Sequence, residues 1–91
     1  MGFDPSTVFR QLPGCEISEM PDGLVIYQAD GEVVHYLNPT ASLIYELCGD
    51  NLTAEAITVH LQDAFALPER PQAEVGACID DLVGKGLIAP C

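Results

Sequence analysis

Hydrophobic positions change their spacing near residue 38 of this 91-residue chain. Before that point, short runs alternate apolar and polar side chains, which is typical of half-buried strands. Three strands are predicted, at about residues 15–20, 24–28 and 33–37. Turn residues separate them, and Asp30-Gly31 suits a tight hairpin because glycine tolerates a positive φ. We therefore expect a three-stranded antiparallel sheet.

After residue 38, apolar side chains recur every three or four positions, which predicts helices at about 39–48, 53–65 and 72–85. Asn38 and Thr53 are suitable N-caps for the first two helices, and Pro39 fits the first helical position. The positions expected to face the core are Ile44, Leu47, Cys48, Ile57, Leu61, Ala64, Phe65, Val75, Cys78, Ile79, Leu82 and Val83.

This order of elements predicts an α+β fold of the winged helix-turn-helix type, with the sheet at the N-terminus. Residues 1–14 contain Pro5, Pro13 and Gly14 and show no period, so we expect a flexible N-terminal arm. Residues 15–91 are expected to form one domain, with the apolar segment 87–89 docked on its core.

The net charge of −11, from fourteen acidic and three Lys or Arg residues, limits the choice of partner. Nucleic-acid binding requires cations that displace phosphate counterions, so neither nucleic acid nor an anionic membrane is an expected partner. A neutral or basic peptide is the better electrostatic match. A winged-helix DNA-binding regulator remains a weaker alternative, because Glu74, Asp80 and Asp81 on the third helix would repel phosphate.

The residues that could carry chemistry show no catalytic or metal-binding pattern. The four cysteines form no C-x-x-C pair, so Cys48 and Cys78 are expected to be buried free thiols, with no bound metal. Nucleotide-binding and nucleophile motifs are also lacking, and His35 and His60 have no metalloprotease context. We expect no catalytic residue, no cofactor and no enzymatic activity. Because no signal peptide or membrane-spanning run is found, we expect a cytoplasmic protein.

Residues 34–49 read Val-His-Tyr-Leu-Asn-Pro-Thr-Ala-Ser-Leu-Ile-Tyr-Glu-Leu-Cys-Gly, which closely resembles the central motif of PqqD-like proteins. That family shows a strand ending in Leu-Asn, a small-residue turn and a helix of the form Ile-aromatic-x-Leu. Residues 52–57 resemble the start of its second helix, and residues 79–88 the end of its third. The resemblance covers about residues 15–89, although Asp50-Asn51 replaces the Asp-Gly of many members.

The resemblance implies a non-catalytic chaperone that binds the leader of a ribosomally made, post-translationally modified precursor peptide. Family members add the leader as an extra strand beside the third strand, in a groove shared with the third helix. Exposed edge strands offer unpaired backbone groups for such an addition. Carried onto this sequence, the peptide-binding residues are Glu32, Val33, Val34, His35, Tyr36, Leu37, Val75, Cys78, Ile79, Asp81, Leu82 and Lys85.

The second implied partner is a peptide-modifying enzyme, such as a radical SAM maturase, a cyclase or a leader peptidase. An alternative is a small adaptor subunit that binds a folded partner enzyme through an apolar patch. Without a peptide, the open edge strand also predicts a homodimer.

Overall fold

A computed structural model describes residues 6–28 and 32–90, and it has the predicted α+β winged helix-turn-helix architecture. Asp30-Gly31 of the predicted hairpin turn and Cys91 lie outside the described residues. The elements are β1 (Phe9–Gln11), β2 (Cys15–Met20), β3 (Gly23–Gln28), β4 (Val33–Leu37), α1 (Pro39–Cys48), α2 (Ala54–Ala64), α3 (Gln72–Gly84) and β5 (Ile88–Pro90).

The larger sheet is antiparallel with the order β2–β3–β4, which confirms the predicted three-stranded antiparallel sheet. Ile17, Ile26 and His35 are aligned across its three strands and therefore share one face. Leu24 and Leu37, which pair on the same face, are buried against the helices. The inner face of the sheet is thus its Leu24–Leu37 side.

The helix boundaries follow from local capping. The side chain of Asn38 accepts a hydrogen bond of 2.8 Å from the backbone N–H of Ala41, and Pro39 occupies the first helical position. In the same way, Thr53 accepts a bond of 3.1 Å from the N–H of Ala56 at the start of α2. Because both caps are clear in the sequence, the predicted starts of α1 and α2 agree with the structure to within one residue.

The C-terminal end of α3 is closed by a left-handed residue. Gly86 has a φ of 73°. Its N–H donates to the carbonyl of Val83 at 3.0 Å, and the N–H of Leu87 donates to the carbonyl of Leu82 at 3.0 Å. This pair of bonds is the Schellman arrangement, which glycine favours because it has no Cβ. The chain then turns into β5.

The expectation of a flexible arm is wrong for Phe9–Gln11, which forms β1 and pairs with β5 at the other end of the chain. Phe9 is fully buried, and the backbone of Leu12 donates to the carbonyl of Leu87 at 3.0 Å. Leu87 and Ile88 are also buried, so the docking of the C-terminal segment is confirmed. Residues 1–5 lie outside the described residues.

The core lies between the inner face of the sheet, the three helices and the β1–β5 pair. Most of the helical positions expected to face inward do so, but Ala64 and Phe65 are exposed. α2 ends at Ala64, and Phe65 adopts a non-helical cap conformation with a φ of −103° and a ψ of 8°. The helical period that placed the side chain of Phe65 on the buried stripe therefore no longer applies. Ala64 is the last residue of α2 and lies beyond Leu61, the last buried residue of that helix.

Candidate functional site

Among the described residues, β4 pairs with β3 along one side and is open along the other. A methyl group added to Gly23, the first residue of β3, would collide with the carbonyl oxygen of Leu37. The carbonyl of Leu37 therefore points toward β3. Backbone groups of successive strand residues point to opposite sides. The N–H and C=O groups of Val34 and Tyr36 therefore face the open edge.

The side chains of β4 alternate between the two faces of the sheet. Leu37 is buried on the inner face and His35 is half-buried beside it. Val34 and Tyr36 point outward and are 58% and 65% exposed. Glu32 is exposed with a φ of 51°, so the regular strand begins one residue later than the predicted peptide-binding segment.

The six residues predicted on the α3 side of the groove fall into two groups. Val75, Ile79 and Leu82 are almost fully buried in the core and present no surface to a bound peptide. Cys78 and Lys85 are partly exposed and Asp81 is exposed. Because these last three are spaced three and four residues apart, they lie along one face of the helix. The accessible part of this predicted wall is therefore smaller and more polar than the sequence suggests.

The exposed face of α3 carries an ion pair. Lys85 Nζ lies 2.8 Å from a carboxylate oxygen of Asp81, one helical turn away. The pKa of the Cys78 thiol is raised, mainly by burial and also by the negative charge of Asp81, while the Lys85 ammonium opposes the shift. Burial therefore disfavours the thiolate of Cys78, the form that nucleophilic chemistry requires.

Gln28 is a site residue that the sequence analysis missed. It lies at the end of β3 on the inner face, and its side-chain nitrogen donates to the carbonyl of Lys85 at 2.9 Å and to that of Gly86 at 3.3 Å. Its side-chain oxygen lies 2.7 Å from Nε2 of His35. α3 packs chiefly on α1, α2 and β5, so these bonds fix the end of α3 beside the sheet. A polar residue at a strand end carries no sequence pattern that would reveal a partner 57 residues away.

The thiols show no paired or metal-bound arrangement in the part of the chain that the structure describes. Cys15, Cys48 and Cys78 are free, and no group of three or more His, Cys, Asp or Glu side chains there could hold a metal ion. The predicted burial is confirmed for Cys48 and wrong for Cys78, which is half-buried. Burial, followed by the neighbouring Cys78, raises the pKa of Cys48 to about 12.

A second surface feature is an open depression at the C-terminal end of α2. Its lining residues are Val59, His60, Gln62, Asp63, Ala66 and Leu67. It includes none of the predicted peptide-binding residues. The described helices are also all too short to cross a lipid bilayer.

Comparison with known proteins gives one family and two similar structures. Residues 23–88 match the family described as coenzyme PQQ synthesis protein D (PqqD). The first structure, a lasso peptide synthetase B1 complexed with the leader peptide, has a TM-score of 0.75 and 21% identity, over 90% of this chain and 98% of the other. The second, TbiB1 in complex with the TbiA(beta) leader peptide, has a TM-score of 0.75 and 17% identity, over 87% of this chain and 93% of the other.

A search of curated proteins gave no match. At these identities, the two structures establish a shared fold, whereas the family match extends over most of the chain. It includes β3, β4 and all three helices. The chain belongs to the PqqD family.

Proposed function

We propose that this protein is a non-catalytic peptide chaperone that binds the leader of a modified precursor peptide at the open edge of β4. The observation that carries the proposal is the uncovered edge at Val34 and Tyr36, in a fold shared with two proteins whose structures contain leader peptides. An edge strand with free backbone groups is a template for an added strand.

In the proposed complex the leader runs antiparallel to β4 and exchanges main-chain hydrogen bonds with Val34 and Tyr36. Leader side chains on the inner side meet Cys78, Asp81 and Lys85, the accessible members of the predicted α3 wall. The ion pair of Asp81 and Lys85 offers both charges at the rim of the groove, where polar contacts fix register. Backbone bonds supply affinity, and the groove supplies specificity.

The direction of the leader determines where the rest of the precursor leaves the domain. In an antiparallel pair, the C-terminal end of the leader lies beside Val33, the first residue of β4. Gln28 pairs with Val33 and bonds to the carbonyl of Lys85, so this end of β4 lies near the end of α3. The peptide that follows the leader therefore emerges there, toward a modifying enzyme such as a radical SAM maturase, a cyclase or a leader peptidase.

A second candidate function is that of an adaptor that binds a folded enzyme without a peptide. The outer face of the sheet favours it, because Tyr36 and Val34 are more than half exposed and lie beside Val25 and Tyr27 on the neighbouring strand. An exposed apolar patch of this kind marks interaction surfaces. The two functions are compatible, since the outer face and the edge of β4 are separate surfaces.

We also propose that the unoccupied edge pairs with a second copy of the chain at high concentration. The net charge of −11 opposes this association, and salt screens that repulsion. Dimerisation is therefore expected to increase with salt and to be reversed by a bound leader.

The proposal is tested by hydrogen exchange with the leader of the protein's precursor peptide. Backbone amides of β4 should exchange more slowly when the leader is added, because added main-chain bonds protect them. Amides of β2, at the opposite edge, serve as the internal control and should not change. If the leader leaves the amides of Val34 and Tyr36 unprotected, edge-strand addition is contradicted and the adaptor is favoured instead. An unchanged leader mass after incubation with the protein alone checks that no reaction occurs.

A further inference from the structure

Two backbone carbonyls at the end of α3 fix the orientation of the Gln28 side chain. Carbonyl oxygens only accept hydrogen bonds, so the group that faces Lys85 O at 2.9 Å and Gly86 O at 3.3 Å must be the amide NH₂ of Gln28. The amide oxygen then points the other way, toward His35, whose Nε2 lies 2.7 Å from it. The orientation follows from the bonding partners on both sides.

The same logic fixes the protonated nitrogen of His35. Because the oxygen of Gln28 can only accept, Nε2 of His35 carries the hydrogen. In a neutral imidazole the other nitrogen, Nδ1, then holds a lone pair and is an acceptor. No other described residue bonds to this ring. The ring is half-buried on the inner side of β4, between Val33 at the start of the strand and the buried Leu37.

We propose that His35 is a specificity-determining residue, which selects a leader side chain that donates a hydrogen bond to Nδ1. This inference rests on the proposed function and names the chemistry that the groove recognises. A hydroxyl, an indole N–H, an ammonium or a guanidinium group satisfies the lone pair. A carboxylate or an apolar side chain does not, and an unmatched polar group that becomes buried in a complex lowers affinity.

Gln28 has a separate role as a positioning residue. Its amide links His35 to the end of α3. It therefore keeps the proton of the imidazole ring on Nε2 and fixes the distance between β4 and α3. Removing the amide frees the ring to adopt either tautomer. We therefore expect selectivity to decrease when Gln28 is replaced by Leu.

The test uses a displayed library of random linear peptides, selected on the parent protein, on Val34→Pro and on His35→Phe. The parent should enrich peptides with a donor side chain at one fixed position, and His35→Phe should bind peptides without that preference. In an enriched peptide, replacing the donor side chain by an apolar one of similar shape should weaken binding to the parent about tenfold. The same replacement should change binding to His35→Phe about twofold or less.

Two results separate this inference from the proposed function. Enriched peptides with no donor preference, or with one that persists in His35→Phe, would overturn the inference alone. A parent selection that enriches no more than Val34→Pro would contradict the proposed function, and the inference with it. A readout without any peptide is the ¹⁵N spectrum of the free protein, where hydrogen on Nε2 of His35 supports the inference and hydrogen on Nδ1 overturns it.

Discussion

The side-chain amide of Gln28 donates a hydrogen bond of 2.9 Å to the backbone carbonyl of Lys85 and joins the sheet to the end of α3. Gln28→Leu should lower the free energy of unfolding by about 1–2 kcal/mol, because the two carbonyls at the end of α3 and the ring of His35 lose a partner. Gln62→Leu is the matched control, since Gln62 makes only a local 3.5 Å contact with Leu67. Urea denaturation of both variants measures the difference. If both variants lowered the free energy of unfolding equally, the hydrogen bonds of Gln28 would make no stabilising contribution of their own.

Phe9 is fully buried although it lies only a few residues from the N-terminus. Phe9→Ala should destabilise the protein by about 3–5 kcal/mol, because it leaves a cavity in the core. Arg10→Ala, on the neighbouring exposed position of β1, should change stability by about 0.5 kcal/mol or less. Thermal unfolding followed by circular dichroism distinguishes the two. A mild effect of Phe9→Ala would mean that β1 is a dispensable arm.

Gly23 has a φ of 145°, and a Cβ at this position would strike the carbonyl of Leu37. Gly23→Ala should therefore cost about 1–3 kcal/mol, from backbone strain and displacement of β4. Gly84, in the last turn of α3, has open space around it and is the control. Gly84→Ala should be neutral or stabilise by about 0.5–1 kcal/mol. If both variants unfolded at the parent's temperature, the close contact between β3 and β4 would be wrong.

The buried thiol of Cys48 predicts a loss of stability at alkaline pH. Burial, and then the neighbouring Cys78, raises the pKa of Cys48 from 9.0 to about 12 in the folded protein. The folded state therefore keeps a proton that the unfolded chain releases, so the contribution of Cys48 to stability is constant below about pH 9 and is lost as the pH rises toward about 12.

Denaturant unfolding at several pH values above 8 checks this expectation on the parent and on Cys48→Ala. The variant should show a shallower decline with pH, while the raised pKa values of Tyr45 and Cys78 account for what remains. An identical pH dependence in the two proteins would mean that Cys48 is not protonated and buried as the structure places it.

Local signals explain which parts of the fold were predictable. α1 was placed at 39–48 because an Asn cap and a proline start it and Gly49 follows its end. The β2–β3–β4 sheet was predictable because apolar and polar side chains alternate along each strand and because the strands follow one another directly in the sequence. β1 and β5 were missed because each has only three residues and its partner lies at the opposite end of the chain. Non-local pairing of this kind leaves no periodic trace in either segment.

The candidate site was predictable in outline only. The resemblance to the family identified β4 and α3 as the two sides of the groove. The resemblance also assigned core residues of α3, such as Ile79, to the peptide-binding wall together with accessible ones, such as Asp81. Which α3 side chains reach the surface depends on how α3 rotates against α1 and α2. Gln28 was missed for the same reason, since its role exists only once α3 has docked beside β3.

The central claim is that a leader peptide adds to β4 through the backbone of Val34. Val34→Pro removes an N–H that faces the open edge and leaves the pairing with β3 in place. Glu19→Pro is the matched control, because the same alternation directs its N–H to the outer edge of β2. Circular dichroism must show that both variants remain folded.

The most direct measurement is calorimetric titration of the parent, Val34→Pro and Glu19→Pro with the leader of the precursor peptide. Val34→Pro should weaken binding at least about tenfold, because it removes a main-chain hydrogen bond and obstructs the added strand. Glu19→Pro should bind as the parent does. If Val34→Pro binds the leader as tightly as the parent, the leader does not add to β4.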